Sequence, residues 1–89
     1  MKVKFDLGQV VITTNAHNKL NQVDVQFALY RHAKGDWGNM PEEDKQTNEE
    51  ALQLGNRLMS EYLDRAKTKF WIITEADRSA TTILLPEDY

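Results

Sequence analysis

The chain contains no cysteine. That removes disulfides and thiolate metal sites, and it is compatible with a reducing cytoplasm. Only four glycines are present, and they are scattered, so neither a Walker A loop nor a G-x-G-x-x-G turn exists to cradle a phosphate. The two histidines, His17 and His32, stand fifteen residues apart and match no metal-ligand spacing such as H-E-x-x-H. No apolar run approaches the roughly 18 residues of a membrane span. The start, Met1 to Asp6, has no long apolar core of a secretory leader. The expectation is a cytoplasmic protein with no membrane partner. A basic excess is missing too: 11 Lys and Arg stand against 14 Asp and Glu, a net charge of −3. Domains that hold nucleic acid by its phosphates usually carry the opposite balance, which disfavours that partner.

What is present fits one domain spanning residues 1–89. A chain this short buries only about 60% of its unfolded surface, so its stability is modest. Charge is unevenly spread. Residues 36–50 hold six acids and one base, and residues 57–69 hold four bases (Arg57, Arg65, Lys67 and Lys69) and two acids. Charge runs usually solvate a face; a bipolar docking surface is the sharper reading.

The end of the chain organises the fold. Phe70–Ile73 and Ile83–Leu85 are apolar runs around a polar break, the pattern of an antiparallel hairpin. Leu58–Leu63 reads as a strand pairing with Phe70–Ile73 after a turn at 65–68, completing a three-stranded meander. The alternative for 57–64 is a helix continued through Gly55, at a cost of about 1 kcal/mol relative to alanine. Sequential strands usually pair, which favours the strand. Phe70 and Ile72 point one way, and Trp71 and Ile73 the other. With apolar side chains on both faces, the second face needs a cover, either a partner protein or a second copy. Pro86 stops the last strand, and Glu87 to Tyr89 form a short acidic tail.

At the start, Val3, Phe5 and Leu7 alternate with polar residues as in a half-buried strand, and Val10–Ile12 either continue it after a break at Gly8 or form a second short strand. Thr13, Thr14 and Asn15 offer caps for a helical turn over 16–20. Asp24 caps a helix over about 25–34 whose face is Val25, Ala28, Leu29, His32 and Ala33, widened by Phe27 and Tyr30. Gly35 ends it. Pro41 starts another helix, with Glu42, Glu43 and Asp44 in its favourable first turn, and Gly55 ends that one. The expected class is α+β, with two main helices packed on an antiparallel sheet that ends in the meander.

Few residues carry chemistry. Trp37, held between Gly35 and Gly38, folds back as a lid on the core or, in the minority reading, faces a ligand together with Asp36. Trp71 and Arg78 are further binding candidates. Glu75, Asp77, Arg78 and Ser79 sit at the hairpin tip, where a hydrolase or nuclease would use them with His32 as base. Ordinary turn capping explains Asp77 and Ser79 equally, and a hydrogen-bonded core residue explains His32. Asp64 followed by Glu75-Ala76-Asp77 approaches a magnesium-nuclease pattern and fails where its lysine belongs. No cofactor and no metal are expected.

The segments R-H-A-K-G-D-W-G (31–38), E-E-D-K-Q-T-N-E-E-A-L (42–52) and W-I-I-T-E-A-D-R-S-A-T-T-I-L-L-P-E-D-Y (71–89) resemble a family of small bacterial proteins carried on plasmids and other mobile elements. Its members are labelled plasmid-related proteins or type I restriction–modification methylase subunits. The resemblance spans about residues 25–89 and implies a bacterial, cytoplasmic setting linked to mobile DNA. It brings no catalytic residues. The methylase label would need a glycine-rich strand-to-helix turn that this chain lacks. The expected role is a non-enzymatic interaction protein that binds a partner or itself. The runners-up are the hairpin-tip enzyme and nucleic-acid binding through Arg57, Arg65, Lys67 and Lys69.

Overall fold

The structure is a computed structural model and is described over residues 2–89. In chain order it holds β1 (Gln9–Ile12), α1 (Thr14–Lys19), α2 (Gln22–Ala33), α3 (Glu42–Leu54), β2 (Leu58–Leu63), β3 (Lys69–Thr74), β4 (Ala80–Leu84) and a 3-10 turn at Pro86–Asp88. The fold is α+β. The helices form where local signals dictate. Thr13 accepts a hydrogen bond from the Ala16 amide and starts α1. Pro41 precedes α3, and Gly55, at φ 74°, ends it in the left-handed conformation that glycine adopts freely. The cap of α2 differs from expectation: Asn21 accepts from the Asp24 amide, and Asp24 sits in the first turn.

The four strands lie in the order β1-β4-β3-β2. The meander is present: β2 pairs antiparallel with β3, from Leu58 opposite Thr74 to Leu63 opposite Lys69, and β3 pairs antiparallel with β4. The sheet as a whole is mixed rather than antiparallel, because β1 runs parallel to β4, with Gln9 opposite Ala80 and Ile12 opposite Ile83. The whole of the intervening chain forms the crossover, so nothing local to either strand announces the pairing. The expected strand over residues 3–7 does not form. The chain bends at Lys4–Phe5, the Lys4 amide donates to the Ala33 carbonyl, and Phe5 turns inward. Phe5 and Leu7 are half-buried while Val3 stays exposed, so the alternation has no sheet to belong to.

Phe70, Ile72 and Thr74 share one sheet face with Ser60, Tyr62, Thr81 and Ile83. The helices α1 and α2 cover that face, where Ala16, Leu20, Val25 and Ala28 meet Tyr62, Phe70, Ile72, Ile83 and Leu85. Burying each large side chain stabilises by about 1.5–3 kcal/mol relative to leaving it exposed. A second cluster of Trp37, Ala51 and Leu58, with Phe5, Met40 and Leu52 against it, joins α3 to the rest. On the opposite face the chain supplies much of its own cover. The Tyr89 ring meets Trp71 edge-on at 5.7 Å, and Ile73 and Leu84 are only 4% and 6% exposed. The 3-10 turn is pinned by Asp88, whose carboxylate accepts from Thr13 Oγ1 at 2.6 Å, Asn15 Nδ2 at 2.8 Å and the Leu85 amide at 3.1 Å.

The outer edge of β2 is closed by two devices. The side chain of Asn48 on α3 imitates a peptide unit, donating to the Met59 carbonyl at 2.6 Å and accepting from the Met59 amide at 3.1 Å. Next along the edge, Glu61 exchanges bonds with the Trp37 carbonyl and the Asn39 amide. Gly38 makes this approach possible, since a Cβ there would collide with the Glu61 carbonyl. Asn48→Ala leaves both Met59 groups unpaired and is expected to cost about 1–3 kcal/mol. Asn48→Asp keeps the acceptor but sets a carboxylate against the Met59 carbonyl, and is expected to cost more. Urea unfolding measures both, and a midpoint unchanged in Asn48→Ala would contradict the assignment.

Candidate functional site

His32, on the inner face of α2, has no solvent exposure. Its Nδ1 meets Ser60 Oγ on β2, and its Nε2 meets Thr74 Oγ1 on β3 at 2.9 Å. Thr74 Oγ1 lies 2.7 Å from Thr81 Oγ1 on β4, and Thr81 donates to the Leu7 carbonyl at 2.7 Å. That carbonyl can only accept, so the direction of every bond follows. Thr81 spends its proton on Leu7, Thr74 spends its own on Thr81, and the imidazole must donate from Nε2. Nδ1 then accepts from Ser60. Burial, aided by the nearby Arg78 charge, pushes the His32 pKa down to about 3. The ring is neutral, enclosed and bonded at both nitrogens.

This arrangement bears on the hairpin tip. The base that a nucleophilic Ser79 would require is bonded elsewhere. The Ser79 amide donates to Asp77 Oδ1 at 3.0 Å, and Ser79's hydroxyl and amide hold the Asp77 carboxyl below its usual range. Arg78, at φ 61°, directs its guanidinium at main-chain oxygens: Asn56 at 2.7 Å, Glu75 at 3.1 Å, Ala51 at 3.2 Å and Ala76 at 3.3 Å. It fastens the β3–β4 turn to the end of α3, where a cation complements the helix dipole. Glu75 is exposed on the same turn. Asp64 lies at the other end of β3, about 20 Å away for a strand of that length. Its carboxylate accepts from the amides of Asn21, Ala66 and Thr68. Burial pushes its pKa up, and these bonds outweigh that and hold it low. Among the described residues, no three His, Asp or Glu side chains converge as a metal ligand set.

The remaining sequence candidates are also tied into the framework. Trp37 is 3% exposed, stacks on Phe5 at 6.3 Å and donates from Nε1 to Glu49 at 2.7 Å. The lid reading describes this position. Asp36 forms a two-pronged ion pair with Arg31, at 2.8 and 3.2 Å, and its carboxyl is held low by it. Trp71 donates to Glu61 at 2.9 Å. The four basic residues divide between the two ends of β2. Arg57 donates to the Tyr89 hydroxyl at 2.7 Å before the strand, Arg65 is forked onto Asp24 after it, and Lys69 lies 4.0 Å from Glu61. With Lys67 in the β2–β3 turn, they form no single stripe.

The surface that stands open lies on the outer side of α2. Val23, Phe27 and Tyr30, at i, i+4 and i+7, are 56%, 67% and 42% exposed, and Leu63 beside them is 47% exposed. Phe27 and Tyr30, expected to widen the inward face, point outward instead. They form a second stripe, and the signal for it was the added Val23 at helical spacing. Phe27 separates two shallow depressions. One, of about 270 Å³, is lined by Phe27, Tyr62 and Leu63 with the charged Asp24, Arg31, Asp64 and Arg65; the other, of about 370 Å³, by Val23, Gln26, Phe27 and Tyr30. The Arg31 guanidinium lies 4.9 Å over the Tyr62 ring, and Lys34 Nζ 4.8 Å over Tyr30. No family model, curated protein or solved structure matches this chain.

The buried imidazole sets a pH dependence. His32 titrates near its ordinary value of 6.5 once unfolded and near 3 when folded. The unfolded chain therefore binds the extra proton between those values, and stability present above pH 6.5 is lost as pH falls towards 3. The full contribution is on the order of 4–5 kcal/mol. His32→Gln, which keeps hydrogen-bonding capacity without the proton site, is expected to flatten this part of the profile. Coincident pH profiles of unfolding free energy for the two proteins would refute the linkage.

Proposed function

We propose that this chain is a small non-enzymatic interaction protein, an accessory factor of bacterial mobile elements working in the cytoplasm. Its outer α2 face receives an amphipathic helix of a partner protein. The observation that carries the reading is Phe27: a large aromatic, two-thirds exposed, between two depressions and beside Tyr30 and Leu63. Contiguous apolar surface of this kind marks docking sites, and aromatic and arginine side chains supply the strongest contacts at such sites. A shallow trough along a helix suits apolar anchors spaced at one helical turn. At the rim Arg31 and Arg65 are already neutralised by Asp36 and Asp24, and Lys34, over the Tyr30 ring, is a cation with no ion-pair partner among the described residues. The mobile-element context rests on the resemblance over residues 25–89.

The hairpin-tip enzyme has less behind it, because His32 is enclosed and Arg78 is spent on main-chain oxygens. Nucleic-acid binding has less again, given the net charge of −3 and the divided basic residues.

A photo-crosslinking residue placed at Phe27, Tyr30 or Leu63 in the bacterial host is expected to trap one partner, and the same residue at Glu75 or Ser79 is not. Phe27→Asp is expected to reduce capture about tenfold, which is about 1.4 kcal/mol of binding. Its melting point should hold, since exposed positions tolerate change. Crosslinks confined to the hairpin tip would sink the reading.

A further inference from the structure

The two edges of the sheet are finished differently. The β2 edge is closed by Asn48 and the Trp37–Asn39 segment, as described. The β1 edge is open. In β1 the residues that bond to β4 alternate: the Gln9 amide donates to the Ser79 carbonyl at 3.0 Å, and after the strand the Thr13 amide donates to Ile83 at 3.0 Å. Gln9, Val11 and Thr13 therefore face β4 along the parallel ladder, and the amides and carbonyls of Val10 and Ile12 point the other way. These main-chain groups have no partner among the described residues. The flanking side chains are apolar, with Val10 42% and Val11 40% exposed and Ile12 half-buried.

Natural sheets blunt such edges with lysine, proline, bulges, inward charges or very short strands. Shortness is the only one of these devices that β1 uses. From Gly8 to Asn15 the sequence G-Q-V-V-I-T-T-N carries no charge and no proline. That neutrality matters for self-association in particular. A twofold axis sets each residue near its own copy, and a charged strand would repel itself there. We propose that β1 pairs antiparallel with β1 of a second copy, about a twofold axis through Val11.

The hydrogen-bond pattern is self-complementary in this register. Val10 stands opposite the second copy's Ile12, and each such pair exchanges an amide and a carbonyl in both directions. All the outward groups of both strands are thereby satisfied. Val11 meets its own copy on the axis, on the sheet face that carries Ile73 and Leu84, as the closely spaced pair whose side chains touch. Val10 and Ile12 make apolar cross-strand pairs on the face that α1 and α2 cover. The product is a continuous eight-stranded sheet with β2 at each end. A four-residue edge buries far less than the roughly 800 Å² per partner of a standard interface, so the dimer is concentration-dependent. Neither Phe27 nor the outer α2 face takes part, and this inference and the proposed function fail separately.

Sedimentation of the full chain over a concentration series tests it. The wild type is expected to pass from monomer to dimer as concentration rises through the micromolar range. Val11→Lys places two cations on the axis and is expected to weaken association by at least about tenfold. Val10→Pro removes an outward amide without touching the β4 ladder, and is expected to act in the same direction. Phe27→Asp is expected to leave the dimer constant unchanged. In a mixed sample of isotope-labelled and unlabelled chains, contacts between Val10 and Ile12 of different copies are expected by NMR. A wild type that stays monomeric to about 1 mM, a dimer constant unaltered in Val11→Lys, or loss of the dimer in Phe27→Asp would each overturn the proposal.

Discussion

The buried file of hydroxyls and one imidazole is the constraint on which the rest of the molecule depends. It runs from Ser60 through His32, Thr74 and Thr81 to the Leu7 carbonyl, and so joins β2, α2, β3, β4 and the N-terminal segment. A polar group inside a protein is costly unless it is bonded, and in this file each donor has one acceptor. Satisfied networks of this sort specify a unique arrangement, because a slipped strand would leave several members unpaired at once. For a domain with a small core, that specificity adds to what hydrophobic burial supplies. The aromatic cluster around it follows the same geometry, with Phe5 5.3 Å and Trp37 5.7 Å from the His32 ring.

The same economy explains why the chemically suggestive residues are quiet. Arg78, Asp64 and Asn48 are spent on main-chain groups at turns, a helix end and a sheet edge, and Asp88 ties the last turn to Thr13 and Asn15. A chain with few glycines and few apolar residues in α3 has to finish its loops with side chains. Sites that resemble catalytic constellations on paper are, in space, the fastenings of the fold.

The elements fixed by neighbours were legible in the sequence. Thr13, Pro41 and Gly55 mark helix ends through bonds or torsions that span three or four residues, and the Leu58–Leu63 and Phe70–Ile73 strands meet across a short turn. What escaped was fixed at a distance. The β1–β4 pairing joins residues some seventy positions apart, and its parallel sense cannot be read from either strand. Lys2 to Leu7 alternates like a strand but has no sheet to enter. Asn48 sits in an unremarkable polar helix, and only the placement of Met59 gives its amide a role. On α2, periodicity found the inward face correctly, but Val23, Phe27 and Tyr30 complete a second stripe that a single apolar-face reading absorbs into the first.

The side-chain amide on α3 has one further effect. Because it occupies the rim of β2 as a strand would, lateral growth of the sheet is possible from one side only. An assembly built by joining rims must then end with its second member. Joined at its open rim, such a protein would give finite particles instead of ribbons, and the block to further growth is shared by one carboxamide and the loop segment beside it.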